Sequence, residues 1–277
     1  MNTTMNQAFR IAGFDLVTAL KTKKAFISIV VYVGLALLVA VIWTFIQNKV
    51  TAEPGVTEQL NGSRDEIKQL LTTKLGQDSS LVDYLASIPF AVMAFFWLTQ
   101  TFLPMLIAVI SSDVLNREIR TRAARFVLLR ASRTSLVLGK VMSHLVLLIV
   151  PAILSWIVFL AYVSIRLNGF DVGAAIPQAL VFMGYTIVFG FCYLGLTALV
   201  SSLVDGAAVT VLVTFACLIT LSIIGGIDSI GWISPSWYRY KLWYPHAANI
   251  ITGLGAYLGF GLLFFAAAWQ RIVRRDV

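Results

Sequence analysis

The densest chemistry in this 277-residue chain is a run of cations. Between residues 111 and 140 stand Arg117, Arg120, Arg122, Arg125, Arg130, Arg133 and Lys140, with only Asp113 and Glu118 as acids. A guanidinium presents a planar fork of N–H donors that matches a carboxylate, so Arg recognises an acidic partner directionally as well as by charge. The pattern is one of docking and not of covalent catalysis. Asn116–Leu129 has helical periodicity: Ile119, Ala123, Phe126, Val127 and Leu129 can meet a surface while the arginines project away. Ser132-Arg133-Thr134-Ser135 reads as a turn or helix cap before a further helix containing Lys140. Anionic lipid headgroups are the alternative partner for the same arginines. Nucleic acid is excluded as a partner, because the cluster lies between two long apolar stretches and no nucleic-acid module accompanies it.

Covalent chemistry finds no comparable constellation. There is no Gly-x-Ser-x-Gly, no Ser-His-Asp arrangement and no Gly-x-x-x-x-Gly-Lys-Ser/Thr loop for a nucleotide phosphate. His144 and His246 are far apart, and Asp113, Asp171, Asp205 and Asp228 read as capping or solvated residues at helix ends and in loops. Cys192 and Cys217 fall inside apolar stretches and read as small buried hydrophobes. No catalytic residue, metal site or cofactor is assigned to the chain. The near absence of acids within the apolar stretches also weighs against a proton- or sodium-coupled carrier.

These residues must be positioned by membrane helices. Apolar stretches at about 25–46, 86–110, 141–165, 176–200, 207–227 and 252–270 each suffice to span a bilayer, which takes roughly 20 helical residues. The 59% hydrophobic composition and mean hydropathy of +0.86 agree. The expected fold is an all-α polytopic membrane protein with six transmembrane helices, forming one domain over 1–277. Basic residues cluster before the first span, between the second and third, and after the last. This places both termini in the cytoplasm, and the +8 net charge reads as topology plus attraction to anionic lipid.

Residues 5–23 read as an amphipathic interfacial helix carrying Met5, Phe9, Ala12, Leu16, Val17 and Leu20. Residues 47–85 form the longest extracytoplasmic loop, with short helices that rest on the outer membrane surface or on an accessory protein. Pro104 should kink or loosen the second span. Ser201, Ser202, Asp205 and Gly206 make a tight turn that sets the fourth and fifth spans antiparallel. The segment 228–251 is rich in Trp and Tyr, forming an interfacial belt or a short re-entrant element. Gly255 and Gly259 make a Gly-xxx-Gly pair suited to close helix contact, within one chain or between two.

This arrangement resembles the permease subunits of the ABC-2 family of ATP-binding-cassette transporters. The likeness rests on Glu118 and Arg120, then Phe126-Val127-Leu128-Leu129-Arg130-Ala131-Ser132-Arg133 and Leu138-Gly139-Lys140. Glu118, Ser132, Arg133, Gly139 and Lys140 match the family pattern; Arg130 replaces a proline, and no Gly-Thr pair stands near Thr121–Ala123. The resemblance implies that 111–140 holds a coupling helix docking on an ATPase, with Glu118, Arg120, Arg125 and Arg133 as coupling residues. It implies an elbow helix at 5–23 and an outer re-entrant hairpin at 228–251. It further implies two soluble ABC ATPases carrying ATP and Mg, a second permease in a homodimer or heterodimer, and an exporter of a bacterial or archaeal cytoplasmic membrane. A non-transport assembly or signalling subunit driven by an ATPase is the first rival. An integral membrane enzyme is the second, and would need an intramembrane polar cluster.

Overall fold

The computed structural model describes residues 2–52, 84–85, 87–115, 131–167 and 170–274. Among them the regular structure is helical throughout: α1 (Asn2–Lys21), α2 (Lys24–Ala52), α3 (Phe90–Ile110), α4 (Arg133–Arg166), α5 (Val172–Leu203), α6 (Ala207–Gly225) and α7 (Ala247–Arg274). Two 3₁₀ helices, Gly231–Ile233 and Pro235–Trp243, fill the connection between α6 and α7. The helices α2 to α7 are six spans long and apolar enough to cross a membrane, and the protein is an all-α polytopic membrane protein.

Chain chemistry sets the boundaries. Pro89 stands at the N-cap of α3, where its missing N–H costs nothing. Pro104 lies inside α3, which continues through it to Ile110. Asp171 caps α5, its Oδ1 accepting from the Ala174 amide at 3.1 Å. Gly206 closes the turn between α5 and α6 at φ +112°, a conformation that favours glycine. The last turn of α5 is tied to the segment that follows α3, since Ser201 Oγ accepts from the Leu115 amide at 3.1 Å.

The third span differs from the expected 141–165. Its helix is continuous from Ser132, the N-cap, whose Oγ accepts from the Ser135 amide at 3.1 Å. Its 34 residues extend roughly 50 Å at 1.5 Å per residue, well beyond the ~30 Å hydrocarbon core. Arg133 and Lys140 therefore sit on the same continuous helix that crosses the membrane, ahead of Pro151 in its interior. The last span also starts earlier, at Ala247.

α5 is the central helix: 61% of its apolar window is buried, against 17% for α6 and for α7. It contacts α3, α4, α6 and, most extensively, α7. Lipid offers helices no hydrophobic gain on association, so shape and ring stacking must hold the bundle. Phe95 of α3 stacks on Phe159 of α4 at 4.2 Å, and Phe96 of α3 on Phe182 of α5 at 4.3 Å. Trp156 meets Phe95 edge-on at 4.6 Å. Between α5 and α7 the backbones nearly touch. A Cβ at Gly195 would lie 2.8 Å from the Gly261 carbonyl oxygen, and one at Gly261 would lie 2.7 Å from Phe191. Gly255 and Gly259 face open space within the chain, on the outer side of α7.

Candidate functional site

The amino-terminal half of α4, directly after residues 116–130, is gripped from two sides. Of the expected coupling residues, Glu118, Arg120 and Arg125 lie outside the described residues. Arg133 is the first residue of α4, and its Nη1 donates to the Val273 carbonyl in the last turn of α7. One residue on, Thr134 Oγ1 accepts from Trp269 Nε1 at 3.2 Å. These contacts hold the start of α4 to the end of α7.

The opposite face of α4 meets α1. Ser135 Oγ donates to the Thr4 carbonyl at 3.1 Å, and Gln7 Oε1 lies 3.1 Å from the same hydroxyl. Gly139 permits the closest approach, because a Cβ there would fall 2.7 Å from Ile11 Cβ and 2.8 Å from the Ala8 carbonyl oxygen. Lys140 Nζ then donates to Asp15 Oδ1 at 2.9 Å, with the side chains only 8% and 15% exposed. Loss of either member of so enclosed a pair is destabilising, since the other charge stays buried without this contact. One turn further, His144 Nδ1 lies 3.0 Å from the Lys140 carbonyl, a hydrogen bond in the tautomer protonated at Nδ1. Ser28 of α2 continues the contact, donating to the Leu147 carbonyl at 3.3 Å.

The face of α1 that makes this contact consists of small residues. Ala8, Ala12 and Ala19 are buried beside the half-buried Asp15, while Met5, Phe9, Phe14, Val17 and Leu20 are exposed. The helix thus has a small-residue face toward the protein and a large apolar face away from it. The exposed set overlaps the apolar stripe read from the sequence, but Ala12 of that stripe turns inward. Lys23, at φ 60°, makes the sharp break between α1 and α2.

The expected motif residues Ser132, Arg133, Gly139 and Lys140 are brought into one locus by this geometry. Asp15, Gln7 and Ser135 were missed as its partners. Asp15 carried a signal, being the only acid among the first 52 residues, which hold several cations. The arrangement's one Ser–His contact among the described residues, Ser143 Oγ to His144 Nδ1 at 3.3 Å, is buried, and the hydroxyl donates to the Lys140 carbonyl at 2.8 Å. The arrangement can transmit force: displacement at residue 131 moves the part of α4 ahead of Pro151, which carries α1 on one side and the end of α7 on the other.

At the opposite end of the bundle, the 3₁₀ segments double back along α6. Ser234 and Ser236 both donate to the Leu221 carbonyl, at 2.6 and 2.7 Å. Arg239 reaches the side chain of Gln100 in the middle of α3.

No curated protein matches this sequence. The family model described as ABC-2 family transporter protein does match, over residues 5–241. That stretch holds α1, five of the six spans, the basic segment, the gripped start of α4 and the 3₁₀ segments up to Lys241. The chain therefore belongs to the ABC-2 transporter family, as a multi-pass membrane permease component that is not itself catalytic.

Proposed function

We propose that this chain is the membrane subunit of an ATP-driven exporter in a bacterial or archaeal cytoplasmic membrane. Two soluble ABC ATPases, binding ATP with Mg, supply the energy, and a second permease, identical or related, completes the pathway. Residues 111–140 receive the ATPases through Glu118, Arg120, Arg125 and Arg133. Nucleotide binding draws the ATPases together, and their movement enters the bundle at Ser132. The observation that carries this reading is the grip on α4: the Lys140–Asp15 pair and the Gly139 contact join it to α1, and Arg133 joins it to α7. A passive tether between spans would have no need of a buried ion pair and a backbone-close glycine.

The exposed apolar face of α1 suits the cytoplasmic interface of the bilayer, and the basic segments suit anionic headgroups. Gly255 and Gly259, with open space before them, suit contact with the second permease. The substrate route then runs between the two permeases.

Reversal of Glu118 and Arg125, as Glu118→Arg with Arg125→Glu, tests the docking assignment. The variant should insert and fold normally yet lose ATPase stimulation by the membrane subunit. Stimulation equal to that of the unmodified complex would refute the assignment of these two residues.

A further inference from the structure

The cluster around Arg239 has chemistry that the transmission role leaves unused. Gln100 is midway along the 21-residue α3 and only 3% exposed. Its Oε1 accepts from Arg239 Nε and from Trp243 Nε1, each at 3.2 Å. Two N–H donors fix the amide orientation, so Nε2 is the free end. That Nε2 is buried and has no hydrogen-bond partner among the described residues. Arg239 Nη2 donates to Thr101 Oγ1 at 2.9 Å and reaches the Trp97 carbonyl at 3.4 Å. Thr101 is satisfied in turn, donating to the same Trp97 carbonyl at 3.1 Å.

The count of remaining side-chain groups is one-sided. Arg239 Nη1 and Gln100 Nε2 retain donors, while Gln100 Oε1 is occupied twice. The guanidinium has no acidic partner among the described residues. It is half-buried beside the midpoint of α3, where a charge is costly unless it meets a complementary group. A cation with surplus donors in such a place fits an oxyanion and repels a cation. The surroundings are apolar and aromatic: Trp243 lies 5.0 Å from Phe96 and 5.8 Å from Phe182, ring to ring. An oxyanion attached to an apolar body fits this setting better than a small hydrated ion.

We propose that Arg239 and Gln100 form an intramembrane binding site for the phosphate or carboxylate headgroup of an amphiphile, which makes anionic amphiphiles the substrate class. This substrate assignment rests on the transporter reading; the binding site itself does not. Charge-assisted hydrogen bonds of this kind carry about a tenfold to hundredfold change in affinity.

The full chain in phosphatidylcholine nanodiscs is titrated with dioctanoyl phosphatidic acid, with uncharged dioctanoylglycerol and with inorganic phosphate, and bound species are counted by native mass spectrometry. The unmodified chain should prefer phosphatidic acid over dioctanoylglycerol by about tenfold or more. Arg239→Gln should abolish that preference, Arg239→Lys should retain part of it, and Gln100→Leu should weaken it with Arg239 still anchored on Thr101. Competition by inorganic phosphate would support the site with a free oxyanion as its ligand, and lack of competition would support it with an amphiphile headgroup. No preference in the unmodified chain, or equal preference in Arg239→Gln, would overturn the site and leave Arg239 as a tether for the 3₁₀ segment. The titration needs no ATPase. Lost preference in Arg239→Gln in a chain that recruits no ATPase would uphold the site and sink the transporter reading, and the converse result would do the opposite.

Discussion

Gly139→Ala puts the α1–α4 contact under direct test. The new Cβ would stand 2.7 Å from Ile11 Cβ and 2.8 Å from the Ala8 carbonyl oxygen. Carbon atoms in contact settle at about 3.5–4.0 Å, so the helices must separate by roughly 1 Å. Neither obstacle can rotate aside, because one is backbone and the other is the first side-chain atom of a β-branched residue. Lys140 is the next residue, and opening the helices by ~1 Å would stretch its 2.9 Å contact with Asp15 beyond hydrogen-bonding range. Overpacking alone costs about 1–3 kcal/mol, and the better helix propensity of Ala returns up to about 1 kcal/mol. With the weakened ion pair, net destabilisation is about 2 kcal/mol. Gly13→Ala is the matched control, as it adds the same methyl on α1 with nothing within 4 Å. It should be neutral or stabilise by up to ~1 kcal/mol. Unfolding of both variants in mild detergent, followed by circular dichroism, gives the comparison. Gly139→Ala should melt below the unmodified chain and Gly13→Ala at or above it; equal stability of the two variants would refute the contact.

Asp15→Asn and Lys140→Met should each destabilise by about 3 kcal/mol, and the double variant by less than the sum, with a coupling of about 1–3 kcal/mol in the same unfolding measurement. Additive losses would mean that the two charges do not depend on each other. Gly195→Leu should cost at least about 2 kcal/mol, because its Cβ meets the Gly261 backbone, whereas Gly255→Leu with Gly259→Leu should leave the stability of the single chain unchanged and weaken permease pairing. Pairing is read by crosslinking in the membrane, and unaltered crosslinking in the double leucine variant would count against contact through that face.

The six spans were legible because the bilayer demands long apolar runs whatever the tertiary packing. Their ends were less so. Hydropathy marks the apolar part of α4 and misses its first turns, which begin at the Ser132 cap that the local sequence did signal. Long-range pairings were opaque. Asp15 and Lys140 are 125 residues apart, and their meeting depends on α1 folding back along α4. Gly139 was visible as a motif residue, but only the facing Ala8 backbone explains why no side chain fits. The inward face of α1 was hidden for a related reason: large apolar residues catch the eye, while close helix contact selects alanine. Gln100 and Arg239 carry no local signal of each other, and their pairing across 139 positions needed the fold.

We propose that this permease component works with a soluble ATPase through the basic segment. The most direct measurement is capture of the tagged full chain from its native membrane in mild detergent, with crosslinking and mass spectrometry. Stoichiometric recovery of a soluble ABC ATPase is expected, with crosslinks falling within residues 111–140. Reproducible recovery of the intact chain without any ATPase, crosslinked or not, would contradict it.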